Sequence, residues 1–203
     1  MKYRFKKADL GVFNTKNAKK VLIGFSPNCR ILGLTRGEFS MIDLIKAVLE
    51  KVGSSHVICT TWSAGIKDAN QVKWMMDTNL IKSFKLITDH SYSTRQKKYA
   101  LSLTELFGKE NIRTSEIHAK FTLIHNENYK VTIRTSMNLN ANRTCENFEI
   151  DEDEEIFSFY MDFIEHTFGE MPKGFTSESG IVNKKLDLFF NKNQEVKKWW
   201  AEI

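Results

Sequence analysis

Residues 117–150 read IHAKFTLIHNENYKVTIRTSMNLNANRTCENFEI, and this stretch decides the predicted fold. His118 and Lys120 stand two positions apart at the start of a run of apolar and β-branched residues. Because successive side chains of a strand point to opposite faces, these two leave the strand on the same face. A polar hairpin follows, and a second β-run over 129–135 brings the chain back. The pattern predicts paired strands with a histidine and a lysine at the start of the first.

Short polar side chains follow where the second β-run breaks into a loop, and a third short run comes after them. The loop carries Ser136 and Asn138, and the third run carries Asn147 and Glu149. Lysine offers three donors, serine and asparagine add neutral donors, and all of them can hold the non-bridging oxygens of a phosphate. Imidazole can attack phosphorus when a carboxylate fixes its tautomer. This set of side chains favours phosphodiester chemistry.

The order of these residues resembles the signature of the phospholipase D superfamily. That signature is H-x-K, an Asp after four intervening residues, then G-S-x-N and a later Glu. Here H-x-K is matched by His118 and Lys120, and S-x-N is matched by Ser136 and Asn138. Glu149 matches the later carboxylate. The three parts lie in order on successive β-runs over about thirty residues, which makes the resemblance specific there.

Two positions and one spacing depart from that signature. The family Asp falls on His125, and the family Gly falls on Thr135. The gap between the two halves is longer by about three residues, which we assign to a hairpin at 126–128. In the family the Asp is mainly a supporting residue, so its replacement concerns support. Thr135 adds bulk beside the expected phosphate site and therefore concerns substrate fit.

The resemblance implies a fold, a reaction and an oligomeric state. The fold is α/β, a phospholipase D-like mixed β-sheet flanked by helices on both faces. Family members combine two motif copies in one active site, and this chain has one copy, so a homodimer would supply both histidines across a two-fold axis. One His118 attacks phosphorus to form a phosphohistidine, and the other is the general acid. Glu149 holds the imidazole, and the phosphate is bound by Lys120, Ser136 and Asn138. No metal and no cofactor is implied.

Three functions fit these residues. The first is a metal-independent phosphodiesterase, most simply a nuclease that acts on DNA rather than RNA. The second is a non-catalytic nucleic-acid-binding module that keeps the phosphate cradle, which the departures at Thr135 and His125 favour. The third is a phospholipase or phosphatidyl transferase. A partner protein that delivers the enzyme to its substrate is not identified by the sequence.

The composition favours an anionic partner. The 203 residues include 30 Lys plus Arg against 25 Asp plus Glu, which gives a formal net charge of +5 and a pI near 9.0. Such a balance suits nucleic acid. The three cysteines are widely spaced, so we expect free thiols in a reducing compartment. With no run of eighteen apolar residues and no signal-peptide pattern, the sequence predicts a cytoplasmic protein without a membrane span.

Composition and pattern divide the chain into three parts. Residues 1–30 are basic and form either an arm that meets a phosphate backbone or a solvated surface segment. Within them, 21–25 predicts a short strand. Residues 31–170 form the phospholipase D-like domain, and 171–203 contain a linker and an amphipathic C-terminal helix, whose pattern covers 186–203. The acidic run 151–155 is expected to cap a helix start rather than bind a metal.

Strand and helix patterns alternate through the central part, as in an α/β layered domain. Helices are predicted over 40–52, 66–77, 93–107 and 154–168, and strands over 31–35, 56–62, 81–88 and 112–115. In such a sheet the loops after strands line the ligand crevice, and basic residues of a neighbouring helix steer a phosphate backbone toward it. The residues expected to bind substrate are therefore Thr61, His90, Arg95, Thr135 and Asn147.

Overall fold

Within the described residues, eight strands form one mixed sheet at the centre of the protein. A computed structural model describes residues 8–140, 143–176 and 179–192. The strands are β1 (Ala8–Phe13), β2 (Arg30–Thr35), β3 (Ser55–Thr61), β4 (Ile81–Asp89), β5 (Ile112–Ser115), β6 (Lys120–His125), β7 (Lys130–Thr135) and β8 (Glu146–Glu152). Their spatial order is β1-β2-β8-β7-β6-β3-β4-β5. The pairs from β2 to β3 in this order are antiparallel, and the pairs at the two edges are parallel.

Helices cover both faces of this sheet. They are α1 (Met41–Val52), α2 (Ile66–Asp77), α3 (Tyr92–Arg95), α4 (Lys97–Phe107), α5 (Glu154–Glu170) and α6 (Ser179–Lys192). One buried cluster joins α1, α2 and α4 to one face, and a second cluster joins α5 to the other face through Phe157, Ile164 and Phe121. The predicted architecture, a mixed sheet flanked by helices on both faces, is confirmed. None of the described helices is long and apolar enough to cross a bilayer.

Local sequence explains where α1 begins and ends. Asp43 N donates to Ser40 Oγ at 3.3 Å, and Ser40 N donates to Asp43 Oδ2 at 2.9 Å, which is a reciprocal capping box. Gly53 follows the helix with a φ of 88°, a conformation that costs glycine little, and its N–H donates to Leu49 O. The predicted helix at 40–52 is confirmed.

The other helices follow the sequence pattern with one exception. The predicted helix at 66–77 is confirmed by α2. The predicted helix at 93–107 is two helices, because Gln96 leaves the helical region with φ −135° and ψ 51° between α3 and α4. Asp153 Oδ1 accepts hydrogen bonds from two backbone N–H groups in the first turn of α5, at 2.9 and 3.0 Å. The expected capping role of the acidic run 151–155 is therefore confirmed at Asp153.

The basic segment 1–30 is, in its described part, integral to the sheet. β1 is an edge strand that pairs in parallel with β2, so Ala8–Phe13 lies in the same sheet as the strands predicted within 31–170. The strand expected at 21–25 is wrong, since a 3₁₀ helix occupies Ala18–Leu22. Asn17 begins it by accepting a hydrogen bond from Lys19 N at 3.0 Å. The side chain of an N-cap asparagine competes with strand pairing at this point.

The C-terminal helix begins earlier than the amphipathic pattern indicates and packs on the body of the protein. α6 contacts α5 and β5, with Val182 fully buried and the Phe189 ring 5.6 Å from the Phe163 ring. The His166 Nε2 atom of α5 lies 2.9 Å from Lys185 O, which adds a polar contact between the two helices. The expected continuation of this helix over 193–203 lies outside the described residues.

The hairpin between β6 and β7 lies at the end of the sheet opposite to Lys120. β6 is six residues long, so His125 is about 17 Å from Lys120 along the strand. The His125 ring stacks on His56, with ring centroids 5.1 Å apart and 27° between the ring planes. Asn126 Nδ2 donates to Val52 O at 2.9 Å and ties the hairpin to the end of α1. The position of the family Asp is therefore remote from the start of β6.

Stability is expected to fall in acid because of this histidine pair. Burial lowers the pKa of His125, and the positive potential of His56, Lys130 and Lys85 lowers it further. The unfolded chain, in which a histidine has its usual pKa of about 6.5, then binds the proton more readily than the folded chain. The free energy of unfolding should therefore be maintained above about pH 6.5 and decrease as the pH falls below that value.

Urea unfolding between about pH 7.5 and pH 5 measures this decrease, which the linkage relation assigns to the difference in bound protons. His125→Gln removes the titrating ring and should make the decrease smaller. The same decrease in the variant and in the wild type would contradict the assignment to His125.

Candidate active site

Most of the predicted site residues come together at one end of the strands, and this end of the sheet is called the candidate-site edge. β3 and β7 end at this edge, while β6 and β8 begin there, because β6 runs antiparallel to both β3 and β7. Lys120, the first residue of β6, pairs with Thr135, the last residue of β7. The loops that extend these strands carry His118, Ser136 and Asn138. Side chains from separate runs of the sequence thus converge at one end of the sheet.

His118 and Lys120 are in direct contact. Lys120 Nζ donates to His118 O at 2.7 Å and lies 3.1 Å from Nδ1 and 3.4 Å from Nε2 of the imidazole. The ammonium therefore lies within 3.4 Å of both ring nitrogens. His118 is exposed and Lys120 is partly buried. An anion that arrives from solvent can therefore meet the imidazole and the ammonium at the same time.

Glu146, the first residue of β8, accepts a hydrogen bond from Ser136, and its negative charge acts on Lys120. Burial lowers the pKa of Lys120, and the Glu146 carboxylate opposes part of this change. Ser136 Oγ donates to Glu146 Oε2, and Thr144 Oγ1 donates to Glu146 Oε1 at 2.8 Å. Asn147 N donates to Ser136 Oγ at 3.0 Å. The Ser136 hydroxyl is therefore held between the end of β7 and the start of β8, next to an acid that interacts with the lysine.

Asn138 is held by the loop that follows β3. Thr61 Oγ1 lies 3.3 Å from Asn138 Oδ1 and accepts a hydrogen bond from Leu139 N at 3.0 Å. Two backbone hydrogen bonds reinforce the contact between the loops, from Leu139 N to Ser63 O and from Gly65 N to Leu139 O. Thr61 is fully buried. It is therefore placed to position Asn138 and not, as expected from the sequence, to contact a substrate itself.

Thr135, at the position of the family Gly, also points its hydroxyl into the protein. Its Oγ1 donates to Asn147 O at 2.7 Å and accepts from Met137 N at 3.0 Å, and the residue is 9% exposed. Both bonds stabilise the turn that leaves β7. The hydroxyl of Thr135 thus supports the Ser136 loop, and a contact between Thr135 and a substrate stays a prediction.

The structure does not bring Glu149 to this edge. Because side chains alternate along β8, Asn147 and Glu149 point to the face opposite to Lys120, whereas Glu146 shares the face of Lys120. Glu149 forms an ion pair with Arg134 Nη2 at 2.6 Å. The expected contact between Glu149 and the imidazole is therefore replaced by an ion pair on the other side of the sheet, and Asn147 lies at the edge of that side.

Glu149 belongs to a network of two arginines and two acids. Asp151 is fully buried and accepts from Arg30 Nε and Arg134 Nη2, each at 2.6 Å. Hydrogen bonding to Asp151 and the nearby charges of Glu149 and Asp151 outweigh burial and raise the pKa of Arg134. This network joins β2, β7 and β8 and accounts for the acidic residue that the motif comparison assigned to catalysis.

Glu146 is a site residue that the sequence analysis missed, because its place depends on how β8 pairs with β7. Side chains two positions apart on a strand share a face, so Glu146 lies on the same face of β8 as the buried Phe148. Phe148 pairs with Thr135, which pairs in turn with Lys120. Counting by two from Phe148 therefore selects Glu146, and not Glu149, for the face that carries the lysine.

Trp62 is a second missed residue, and it links Arg95 to the site. Trp62 follows β3 directly, and its ring centroid lies 5.9 Å from that of His118. The Arg95 guanidinium in α3 lies 3.8 Å from the Trp62 ring centroid, and Arg95 Nη2 donates to Trp62 O at 3.3 Å. The expected place of Arg95 near the phosphate site thus depends on a residue far away in the sequence. No local pattern indicates that contact.

His90 lies at the same end of the sheet, one position after β4. Its N–H donates to Ser115 O at 2.9 Å, and its Nδ1 lies 3.7 Å from Asp89 Oδ2. Its side chain is partly buried between β4 and the end of β5. A contact between His90 and a substrate stays a prediction.

Comparison with known proteins supports the fold. No protein family model matches this chain, and no curated protein matches its sequence. Among solved structures, NucT from Helicobacter pylori is similar over 71% of this chain and 99% of its own, with a TM-score of 0.51 and 11% identity. Nuc from Salmonella typhimurium, a phospholipase D family member, is similar over 72% of this chain and 98% of its own, with a TM-score of 0.49 and 10% identity. The chain therefore has the phospholipase D-like fold that the sequence predicted.

Proposed function

We propose that this protein is a metal-independent phosphodiesterase of phospholipase D type and that its substrate is nucleic acid. The observation that supports this function is the exposed pair of His118 and Lys120 at one edge of the sheet, with Ser136 and Asn138 on adjoining loops. The group combines a nucleophile, a fixed cation and neutral donors at the start of β6 and on the loops next to it. Phosphoryl transfer depends mainly on such positioning and on electrostatic stabilisation.

A homodimer would complete the site. One imidazole must attack phosphorus, and a second acid must protonate the leaving oxygen. The chain supplies a single His118 on the exposed edge. An isologous contact around this edge would bring two copies together and give each its role. The dimer interface would then form the active site itself.

The proposed reaction has two steps. In the first, a ring nitrogen of His118 forms a bond to phosphorus while the bond from phosphorus to the leaving oxygen breaks, and His118 of the partner subunit gives that oxygen its proton. In the second, His118 of the partner subunit takes a proton from water, and the water oxygen attacks phosphorus and releases the first imidazole. The products are one hydroxyl end and one phosphate monoester end.

The remaining residues of the edge would bind the phosphate and keep the nucleophile in place. Lys120 and Asn138 are proposed to donate hydrogen bonds to the non-bridging oxygens, where negative charge develops. Glu146 is proposed as a positioning residue that accepts from the Ser136 hydroxyl in the free protein and offsets the charge of Lys120. When substrate binds, the single proton of Ser136 would turn from Glu146 to a phosphate oxygen.

The charge of the surface supports nucleic acid over lipid as the substrate. The net charge is +5, and exposed Arg95, which contacts Trp62, is followed by exposed Lys97 and Lys98 at the start of α4. Exposed cations near the site favour a phosphate backbone and make binding dependent on salt.

The direct test is a cleavage assay with labelled single-stranded DNA, duplex DNA, RNA and phosphatidylcholine vesicles, in excess EDTA. We expect nucleic acid to be cut, with weaker binding as salt is raised. Cleavage that EDTA abolishes and added magnesium restores would contradict the metal-independent mechanism. Turnover of the lipid alone would move the function to the phospholipase class.

Glu146→Gln and Glu149→Gln form a matched pair that tests the assigned carboxylate. Glu146→Gln should lower kcat by about 10- to 100-fold, because Ser136 loses the carboxylate that holds its hydroxyl and Lys120 loses a nearby negative charge. Glu149→Gln should leave kcat near the wild-type value, since the arginine pair keeps its contacts with Asp151. The reverse order of effects would return the role to Glu149.

The binding-module alternative loses its two supporting observations. His125 lies at the far end of β6, and the Thr135 hydroxyl forms hydrogen bonds inside the turn. Neither departure from the family pattern therefore removes a group from the edge that carries His118. Binding of nucleic acid without cleavage by the wild-type protein would nevertheless establish the module.

A further inference from the structure

The Trp62 indole lies beside the proposed nucleophile. Its ring centroid is 5.9 Å from the His118 ring centroid, with 51° between the planes, and the residue is partly exposed. Trp62 comes directly after the last residue of β3, next to the buried Thr61 that contacts Asn138. An aromatic surface is thus built into the same edge as the histidine, the lysine and the amide donor.

A chain of contacts fixes this indole in place. Asp89 Oδ1 accepts from Ser91 N at 2.9 Å and also from Ser91 Oγ. Ser91 Oγ accepts in turn from Arg95 Nε at 3.0 Å. The Arg95 guanidinium then lies 3.8 Å from the Trp62 ring centroid and donates to Trp62 O at 3.3 Å. The ring is preorganised, so little conformational entropy remains to be lost when a ligand covers it.

The same contacts place one positive charge against the indole. Arg95 is exposed although its guanidinium meets the ring, and two further exposed cations, Lys97 and Lys98, follow it in sequence at the start of α4. Fixed aromatic rings interleaved with cations are the arrangement by which proteins bind single-stranded nucleic acid, since the cations follow the backbone and the rings stack on bases.

A purely structural cation–π pair is the simpler account of these two residues, and the protein contains one for comparison. Lys46 Nζ lies 4.9 Å from the Trp74 ring centroid, and Trp74 is 52% exposed on α2. The residues of that pair lie on α1 and α2, away from the edge that carries His118. What distinguishes Trp62 is its contact with the His118 ring and with the anchoring chain from Asp89.

We propose that Trp62 stacks on a nucleobase next to the phosphate bound by His118 and Lys120, and that the preferred substrate is therefore single-stranded nucleic acid. This inference rests on the proposed function and adds the substrate class. In a duplex the bases are stacked inside and show their faces to a protein only when they are flipped out. A single strand presents a base face at every nucleotide.

The test compares Trp62→Ala, Trp62→Phe and the control Trp74→Ala in a His118→Ala background, in which substrate is bound without cleavage. We expect Trp62→Ala to weaken binding of a single-stranded oligonucleotide by about 5- to 150-fold, the range for loss of one base stack. Binding of the duplex of the same sequence should be nearly unchanged. Trp62→Phe should keep most of the affinity, and Trp74→Ala should keep all of it.

An abasic oligonucleotide isolates the stacking contact from charge. It keeps the phosphates and should bind the His118→Ala protein about as weakly as the intact strand binds after Trp62→Ala. Adding Trp62→Ala should then weaken the binding of the abasic oligonucleotide very little further. Equal binding of the single strand with and without the indole would overturn the inference, even when the wild-type enzyme cuts DNA. Stacking without any cleavage by the wild type would instead leave the inference intact and remove the proposed reaction.

Discussion

His118→Ala should lower the rate of phosphodiester cleavage by at least about 10³-fold while the protein stays folded and dimeric. The imidazole is the proposed nucleophile of one subunit and the proposed general acid of the other, so the change removes both roles at once. The side chain is exposed and contacts Lys120 and Trp62 at the edge of the sheet. Its loss therefore opens no cavity in the core and should cost little stability.

Steady-state cleavage of a labelled oligonucleotide measures this effect, with light scattering to follow the mass of the assembly. His166→Gln is a suitable control, because His166 is a partly buried histidine on α5 whose Nε2 contacts a backbone oxygen of α6. The control should cut at the wild-type rate. A His118→Ala protein that keeps more than about a tenth of that rate would show that another group attacks phosphorus.

Lys120→Met should lower kcat by about 10²- to 10³-fold, the usual effect of removing one donor that stabilises a developing oxyanion. Methionine keeps the length of the side chain and removes its charge. Burial lowers the pKa of this lysine, and Glu146 opposes part of the change, so the charge sits in a partly desolvated place where it acts strongly on a nearby phosphate.

Lys130→Met provides the matched control for the lysine. Lys130 begins β7 at the far end of the same strand pair and forms an ion pair with Glu154. Its replacement should leave kcat unchanged and lower stability by no more than about 1 kcal/mol, as for other exposed ion pairs. Similar loss of activity in both variants would show that general positive charge, and not the fixed ammonium beside His118, supports the reaction.

The sequence predicted those parts of the fold in which hydrophobic period and end signals agree. α1 has a Ser40 capping box at one end and Gly53 at the other, and both its bounds were predicted. β1 was missed because ADLGVF contains an aspartate and a glycine and stands among basic residues. As an edge strand it buries little, with Leu10 and Val12 largely exposed, so the pattern of a buried strand is absent.

The candidate site could be predicted where its residues are neighbours in sequence. It could not be predicted where strand pairing decides which residues share a face. His118 and Lys120 share a face by simple alternation. The choice between Glu146 and Glu149 depends on the register of β8 against β7, which decides which β8 residues share a face with Lys120. The spacing of the motif does not contain that information. Trp62 reaches His118 across 56 positions of the chain, because β3, which Trp62 follows, pairs with β6, which His118 precedes.

The central claim is that two copies of His118 act in one site, and subunit mixing tests it most directly. Wild-type and His118→Ala chains are unfolded, mixed at fixed ratios, refolded together and assayed for cleavage at constant total protein. When both histidines are required, activity follows the fraction of wild-type dimers, so an equal mixture should retain about a quarter of the full rate. A retained rate of about one half, in proportion to the wild-type chain alone, would mean that each chain works by itself and would contradict the shared site.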